Sequence, residues 1–532
     1  MQGTIDLFCA VFQRSAMIFD TSMRRQVVLI VLDGWGIGRT DESNPIHVVG
    51  PQTFRYLEEN FPAGTLAASG ISVGLPWGEI GNSEVGHLTL GAGKIVYQYY
   101  PKITLAIRDR SFFENEVLKS AIRHVQSNGS ALNLVGLLSK GNVHASLEHL
   151  LALIQMAENS KIPYKLHLFA DGKDSPPRSI EKFLKEIPLD KVATLIGRYY
   201  AMDRENNWSL TEQAYRTLVG EGGTKIAPEN ILPFLKKIYA EHSSEEFVPP
   251  LLLKEDGGIK DGEALIFFNF REDSIRQIAE TFIEPGFDRF RVNHFTNLFI
   301  ATMTKYEERL NAPIIFPADT VREPLGKVLS DFGKTQLRIA ETYKYAHVTY
   351  FFNGHTENPF PNEYRVLIPS LATIHADEHP EMRAPAITDR LIQAIKDQSF
   401  DFVLANYANP DTIGHTGNYN AALEVVRVID REMGRVITEV LNTQTSLIIT
   451  SDHGNIEEIL NPMTGEVETQ HDPNPVPIYL VGKEFMNRKF LATAGPHESL
   501  GILSDIAPTI LSLLEIPKPQ DMTGHDLTKR LT

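Results

Sequence analysis

The chain has 532 residues, 42% hydrophobic and 22% charged, a soluble globular composition too long for one ordinary core and expected to fill two or three domains. A net charge of −16 excludes a general nucleic-acid binder, whose affinity rests on basic surface, and no apolar stretch reaches the roughly 18 residues of a membrane span. The single cysteine, Cys9, excludes an internal disulfide and fits a reducing cytosol.

Residues 1–25 read as a disordered N-terminal extension. The run 5–12 is mildly apolar but contains Asp6 and lacks a basic n-region, which argues against a secretory signal, and Met23 is the natural first residue. Beyond it, apolar β-branched runs alternate with helix-period segments, the pattern of an α/β fold with a mostly parallel sheet. Strands are expected at 26–32, 131–138, 165–170, 192–196, 264–270, 297–303, 346–352, 401–407 and 446–451. The clearest helix is 419–441, where Ala422, Val425, Val426, Ile429, Met433, Val436, Ile437 and Val440 recur at spacings of three and four. The Glu-, Pro- and Gly-rich stretch 242–262 reads as an exposed loop.

Seven residues able to bind hard metals sit in short motifs at opposite ends of the chain. They are Asp33 after Val-Val-Leu-Ile-Val-Leu, Ser83 in Gly-Asn-Ser-Glu-Val-Gly-His, Asp411 and His415 in Asn-Pro-Asp-Thr-Ile-Gly-His, Asp452 and His453 in Ser-Asp-His-Gly-Asn, and His471. Each has a bland reading. Asp33-Gly34 is an ordinary turn, Asp411-x-x-x-His415 a solvated helix face, His471 a surface histidine, and Ser83 a helix N-cap. Their joint occurrence points instead to a metal centre. Three Asp, three His and one Ser exceed the shell of one ion, so two are implied, and an all-O/N set favours Mn²⁺, Zn²⁺ or Mg²⁺. Two such ions suit phosphoryl transfer, with Ser83 as nucleophile.

Ligands must lie about 2.0–2.3 Å from their ion, so both chain ends have to fold into one domain, 26–97 with 320–532, around an insert, 98–319. Four loops of the insert follow expected strands: Ser-Lys-Gly-Asn-Val-His144, Asp171-Gly-Lys173-Asp174, Gly-Arg198-Tyr-Tyr-Ala-Met-Asp-Arg204, and Arg271-Glu-Asp273. Gathered at one end of a sheet they would form an anion-binding crevice, with His144 and Asp174 as candidates for proton transfer.

Leu-Asp-Gly-Trp-Gly, Gly-Asn-Ser-Glu-Val-Gly-His, Gly-Arg-Tyr-Tyr-Ala-Met-Asp-Arg, Ala-Glu-Thr-Tyr-Lys-Tyr-Ala-His-Val-Thr, Asn-Pro-Asp-Thr-Ile-Gly-His-Thr-Gly and Ser-Asp-His-Gly-Asn together resemble the cofactor-independent phosphoglycerate mutases of the alkaline phosphatase superfamily. The resemblance implies an alkaline-phosphatase-like metal domain carrying an inserted α/β substrate domain. It implies interconversion of 3-phosphoglycerate and 2-phosphoglycerate without 2,3-bisphosphoglycerate, by a cytoplasmic monomer of glycolysis and gluconeogenesis with a small-molecule substrate and no nucleic-acid or membrane partner. Two Mn²⁺ are implied, with Zn²⁺, Co²⁺ or Mg²⁺ as alternatives: one held by Asp33, Ser83, Asp452 and His453, the other by Asp411, His415 and His471. Ser83 would take the phosphoryl group, Asp174 would serve the glycerate hydroxyls, and Lys344 would stabilise the transferring group. His144, Lys173, Asp174, Arg198, Arg204, Arg271 and Lys344 would bind substrate. Two positions depart from the family pattern: Lys173 and Ser274 stand where it has arginines, and Arg276 is a candidate to compensate for the second. A metal-dependent phosphatase, or a mutase for another phosphorylated metabolite, is the competing reading.

Overall fold

The computed structural model describes residues 25–373, 375–488 and 499–531, so the expected N-terminal extension lies outside the described residues except for Arg25. Two compact units emerge, one drawn from Met1–Val96 with Thr320–Thr532 and one from Tyr97–Asp319. Each encloses its own cluster of buried apolar side chains. In chain order the strands are β1 (Gln26–Leu32), β2 (Ala63–Ala67), β3 (Leu132–Leu138), β4 (Tyr164–Ala170), β5 (Val192–Gly197), β6 (Thr224–Lys225), β7 (Leu251–Leu252), β8 (Ala264–Phe267), β9 (Phe299–Thr302), β10 (Gln336–Glu341), β11 (Glu363–Ile368), β12 (Phe402–Tyr407), β13 (Thr445–Thr450), β14 (Val476–Val481) and β15 (Gly501–Ile502).

The first unit holds, among the described residues, an eight-stranded sheet in the order β11-β10-β12-β1-β13-β14-β2-β15. Its first five strands are parallel. Strand β1 is buried along its whole length, as an unbroken apolar run covered on both faces should be. The helix Tyr419–Asn442 buries Val425, Val426, Ile429, Met433, Val436, Ile437 and Val440, each worth roughly 1.5–3 kcal/mol by removal from water. Neighbouring parallel strands β10, β12, β1 and β13 all end on one side, and there the chain places Lys344, Asp411, Asp33 and Asp452 beyond their carboxyl ends.

One expected strand is not a strand. The run 346–352 contains a π-helical turn, His347–Phe351, with the Phe352 amide donating to the His347 carbonyl at 3.1 Å and that of His355 to Tyr350 at 2.9 Å. Val348, Thr349 and Phe352 are the buried positions. That spacing is helical, and tertiary packing overrides the β-preference of a Val-Thr-Tyr-Phe-Phe run. Strands β2, β6, β7, β10, β11, β14 and β15 were not expected, and β7, with Glu245, Val248, Leu251, Leu252 and Leu253 buried, corrects the exposed-loop reading of 242–262. Strand β10 hides its character behind Gln336, Arg338 and Glu341, all buried; the Arg338 guanidinium lies 5.0 Å from the Phe352 ring centre and 5.1 Å from that of Phe402. Pro477 similarly masks β14.

The second unit holds a seven-stranded sheet in the order β6-β7-β5-β4-β3-β8-β9. Strands β5, β4, β3 and β8 are parallel neighbours, so the loops after them emerge at the same end. Among the described residues no helix is long and apolar enough to cross a membrane.

Candidate metal centre and anion pocket

In the first unit the helix Ser83–Ala92 is capped by Asn82, whose side chain accepts from the Val85 amide at 3.0 Å. The cap reading of Ser83 therefore falls to its neighbour, and the Ser83 hydroxyl is free to face the sheet. A Cβ at Gly86 would lie 2.6 Å from the Asp452 carbonyl oxygen, so only glycine lets this helix approach the segment after β13 closely enough. A Cβ at Gly34, where φ is +75°, would meet the Asp411 Cα at 2.8 Å.

The Ser83 hydroxyl donates to Asp33 Oδ1 at 3.0 Å and lies 2.9 Å from His453 Nε2. Lys344 Nζ reaches Asp33 Oδ1 at 2.6 Å, Ser83 Oγ at 2.7 Å and Asp411 Oδ2 at 2.7 Å. Asp411 and His415 sit one helical turn apart with Oδ1 and Nε2 at 3.2 Å, and His471 Nε2 is 3.1 Å from the same carboxylate oxygen. All seven sequence candidates, with Lys344, thus fall into one cluster. Asp33, Asp452 and His453 are fully buried, and His415 is the most exposed.

Three buried carboxylates face one ammonium. Burial alone would lower the Lys344 pKa, but Asp33, Asp411 and Asp452 hold it above the ordinary lysine value. Burial would likewise lower His453, yet Asp452, Asp33 and Asp411 raise it to about 9. The cluster is short of positive charge, and its donors suit a divalent ion. Asp452 Oδ2 is buried with no hydrogen-bond partner. His415 Nδ1 faces the Thr469 carbonyl at 2.8 Å and His471 Nδ1 that of Gly81 at 2.9 Å. A carbonyl only accepts, so each ring carries its proton on Nδ1, and the two Nε2 lone pairs are aimed at each other across 3.0 Å. Either a ring takes a second proton toward Asp411, whose hydrogen bond holds His415 above the usual histidine value, or a metal ion relieves the clash. Backbone carbonyls on Nδ1 are how proteins orient metal-binding imidazoles. The residues fit the group.

Distances also single out His87, which the sequence reading passed over. Asp33, His87 and Asp452 offer ligand-type atoms within 4.8 Å of one another, as do Asp411, His453 and His471. Its place four residues after Ser83, one helical turn away, was the available signal.

In the second unit the four loops line a cavity of about 560 Å³, with His144, Lys173, Asp174, Arg198, Arg204 and Ser274 in its wall. Buried Asp171 organises it: Oδ1 accepts from the Lys173 and Asp174 amides at 3.1 and 3.0 Å and from Arg198 Nη1 at 2.6 Å, and Oδ2 accepts from Ser139 Oγ at 2.6 Å. Arg198 also reaches Asp174 Oδ1 at 2.8 Å, while His144 Nδ1 is 2.7 Å from Asp174 Oδ2. Burial alone would raise the Asp174 pKa, but hydrogen bonds from His144 and Arg198 bring it down to about 2. Arg204 and Arg271 are half exposed and both pair with Asp273, at 2.9 and 3.2 Å; Arg271 stands outside the cavity wall.

A family model described as the Metalloenzyme superfamily matches residues 25–518, and that superfamily implies divalent metal ions. Among solved structures, a phosphoglycerate mutase from Leishmania mexicana is 27% identical, with a TM-score of 0.49 over 94% of this chain and 97% of that one. A protein of Pseudomonas entomophila (strain L48) named 2,3-bisphosphoglycerate-independent phosphoglycerate mutase is 41% identical over 517 residues, 95% of this chain and 99% of its own length. Its namesake in Syntrophotalea carbinolica (strain DSM 2380) is 42% identical over 95% of this chain and 98% of its own length. The chain belongs to the 2,3-bisphosphoglycerate-independent phosphoglycerate mutases.

Lys173 and Ser274, the two positions read from the sequence as departures from the pattern of that mutase family, both fall in the cavity wall. Lys173 is exposed there and offers a point charge rather than a bidentate fork. Ser274 is buried, with Oγ 3.4 Å from His144 Nε2 and 3.1 Å from Asp273 Oδ1. Arg276 begins the helix Arg276–Ile283, with its Nε 3.9 Å from Glu307, and is not among the residues of the cavity wall.

Proposed function

We propose that this enzyme interconverts 3-phosphoglycerate and 2-phosphoglycerate through a phosphoserine at Ser83, the first unit serving as an alkaline-phosphatase-like metal domain (26–97 and 320–532) and the second (98–319) as the substrate domain. The observation that carries this is a serine hydroxyl held by Lys344, Asp33 and His453 within a carboxylate- and imidazole-rich cluster. Asp33, Ser83, Asp452 and His453 would hold one ion and Asp411, His415 and His471 the other, with Mn²⁺ favoured over Zn²⁺, Co²⁺ or Mg²⁺. Bound, the pair supplies Lewis-acid neutralisation of the charge on the phosphoryl and hydroxyl oxygens.

The chain's own residues do the rest. Ser83 enters and leaves the cycle as its alkoxide, so it exchanges no proton within it: Oγ bonds to phosphorus as the bond from phosphorus to the glycerate oxygen breaks, and Lys344 offsets charge on the transferring oxygens. The leaving oxygen takes a proton from the His144–Asp174 pair. The other hydroxyl then returns a proton to that pair, attacks phosphorus and releases Ser83. Arg198, Arg204, Lys173 and His144, which line the cavity, bind the carboxylate and phosphate groups; Arg271, outside the wall, pairs with Asp273. We place this reaction in the glycolysis and gluconeogenesis of the cytoplasm, carried out by a monomer.

The competing phosphatase reading has no use for the His144–Asp174–Arg198 array, since water needs no such anchoring. A coupled assay for 2-phosphoglycerate, run on chelator-stripped protein and after adding back each divalent metal, tests the proposal. Interconversion should vanish with the metal, return with Mn²⁺, and be absent in Ser83→Ala. Net release of inorganic phosphate would favour the phosphatase; full activity in excess chelator or in the alanine variant would overturn the reading.

A further inference from the structure

His87 and Asn406 take no part in that cycle, yet both are completely buried beside the metal-centre cluster. Asn406 lies in β12 opposite Val31 of β1, a central position of a parallel sheet where an amide is costly unless hydrogen-bonded. Its Nδ2 donates to Asp33 Oδ2 at 2.7 Å and lies 3.0 Å from His87 Nε2, while its Oδ1 has no partner. Turning the amide over would set Oδ1 against the Asp33 carboxylate, so this orientation is fixed. His87 Nε2 then faces an N–H and must accept, which puts the ring proton on Nδ1. That proton points at the Ser83 carbonyl, 2.9 Å away, and Nδ1 passes 3.1 Å from Asp452 Oδ2 without satisfying it.

We infer that His87 and Asn406 are positioning residues, a hydrogen-bonded chain running Ser83 carbonyl–His87–Asn406–Asp33 that presets the Asp33 carboxylate and the backbone of Ser83 while leaving Asp452 Oδ2 open for a metal ion. The inference rests on the metal-centre reading above. The chain joins β12, the loop after β1 and the helix Ser83–Ala92, so it ties together three segments that are distant in sequence. Each member restrains its neighbour, and breaking it anywhere leaves the Asp33 carboxylate held through Oδ1 alone, by Lys344 and Ser83.

The test is calorimetric titration of Mn²⁺ into chelator-stripped protein, with the melting temperature of the stripped form recorded alongside. Asn406→Leu and His87→Ala should each weaken Mn²⁺ binding on the order of 10- to 100-fold, as loss of a partner that orients a metal ligand generally does. His87→Asn keeps a donor near the Nδ1 position toward the Ser83 carbonyl and should lose less than the alanine variant. The double variant should bind no more weakly than the weaker single, because the two act as one chain. A parent that binds while both single variants bind within twofold of it would overturn the inference and leave the metal reading standing, as would additive losses. A parent that does not bind Mn²⁺ overturns the metal reading itself. If His87→Ala fails to fold, Asn406→Leu, close to the amide in shape, decides.

Discussion

Ser83 and Lys344, 261 positions apart in sequence, meet with Oγ and Nζ 2.7 Å apart. Lys344 is there because β10 ends beside β12, and its ammonium is set against three buried carboxylates. A lysine so placed does two jobs. It offsets charge on a transferring group, and it keeps Asp33 and Asp411 compatible with burial when no metal is bound.

Lys344→Met separates those jobs. The variant should lose roughly 10²- to 10³-fold in kcat, the range seen when one preorganised stabilising donor is removed. In chelator it should also be less stable by about 3–5 kcal/mol, because two buried carboxylates lose their partner. Saturating Mn²⁺ should recover most of the stability and little of the rate, read by denaturant unfolding with and without metal. Equal destabilisation in both conditions would show that the ammonium does not offset the same charge as the metal.

Much of this was legible in the sequence wherever a chemical residue directly follows a buried apolar run. Asp33 after β1 and Asp452 after β13 announce themselves in that way, and β3, β4 and β5 carry the substrate loops on runs that read plainly as strands. Legibility fails where the local signal is contradicted by what packs around it. Strand β10 is obscured by the buried Arg338, which the Phe352 and Phe402 rings and a hydrogen bond to Gln336 Oε1 at 2.6 Å make tolerable. The run around Val348 is rich in strand-formers but curls into a π-turn because the core meets it at helical spacing. His87 is silent for a different reason. Its partners, Asn406 and the Ser83 carbonyl, become its partners only when β12 and the helix Ser83–Ala92 come together, and a buried histidine in isolation says nothing about what it orients.

Asp174 should respond as a proton carrier rather than as a structural anchor. Hydrogen bonds from His144 and Arg198 overcome its burial and hold it ionised above about pH 2, so near neutrality its charge is available to the pair it makes with His144. Asp174→Asn preserves shape and the hydrogen bond from Arg198 but cannot share the proton. We expect kcat to fall about 10²- to 10⁴-fold, the usual reach of general acid–base catalysis, with Mn²⁺ affinity unchanged. An unaltered kcat with a raised KM would reassign Asp174 to binding alone.

Lys173 is exposed in the cavity wall with its backbone amide tied to Asp171 at 3.1 Å, so the side chain can be exchanged without disturbing the loop. Replacing it by arginine substitutes a planar fork for a point charge, and a second charge-assisted hydrogen bond is worth roughly 1.5–3 kcal/mol at best. Part of that is lost to exposure, so Lys173→Arg should lower KM for phosphoglycerate about three- to tenfold and leave kcat nearly unchanged. A higher KM would mean that Lys173 is matched to a substrate whose anion sits elsewhere in the cavity.

Two histidines in the core of the second unit set a limit on acid stability. His167 lies between Thr194 Oγ1 at 3.1 Å and Asn133 Oδ1 at 3.0 Å, and His149 lies beside Thr104 Oγ1 at 3.0 Å; both are fully buried. Burial pushes each imidazole down to about 3, against about 6.5 in the unfolded chain. Each therefore contributes stability that is present above pH 6.5 and lost as pH falls toward 3, at about 1.4 kcal/mol per pH unit within that window. Carboxylates with lowered values do not enter until below about pH 4, and those that burial raises, Glu58, Glu341, Glu457 and Glu458 among them, contribute alike to parent and variant. His167→Gln should reduce the difference in unfolding free energy between pH 7 and pH 5 by about 2 kcal/mol relative to the parent, measured by urea denaturation at both values. Differences to the parent cancel the opposite contributions of His415 and His453, whose values are raised. An identical pH difference in variant and parent would show that His167 gains no proton on unfolding in that interval.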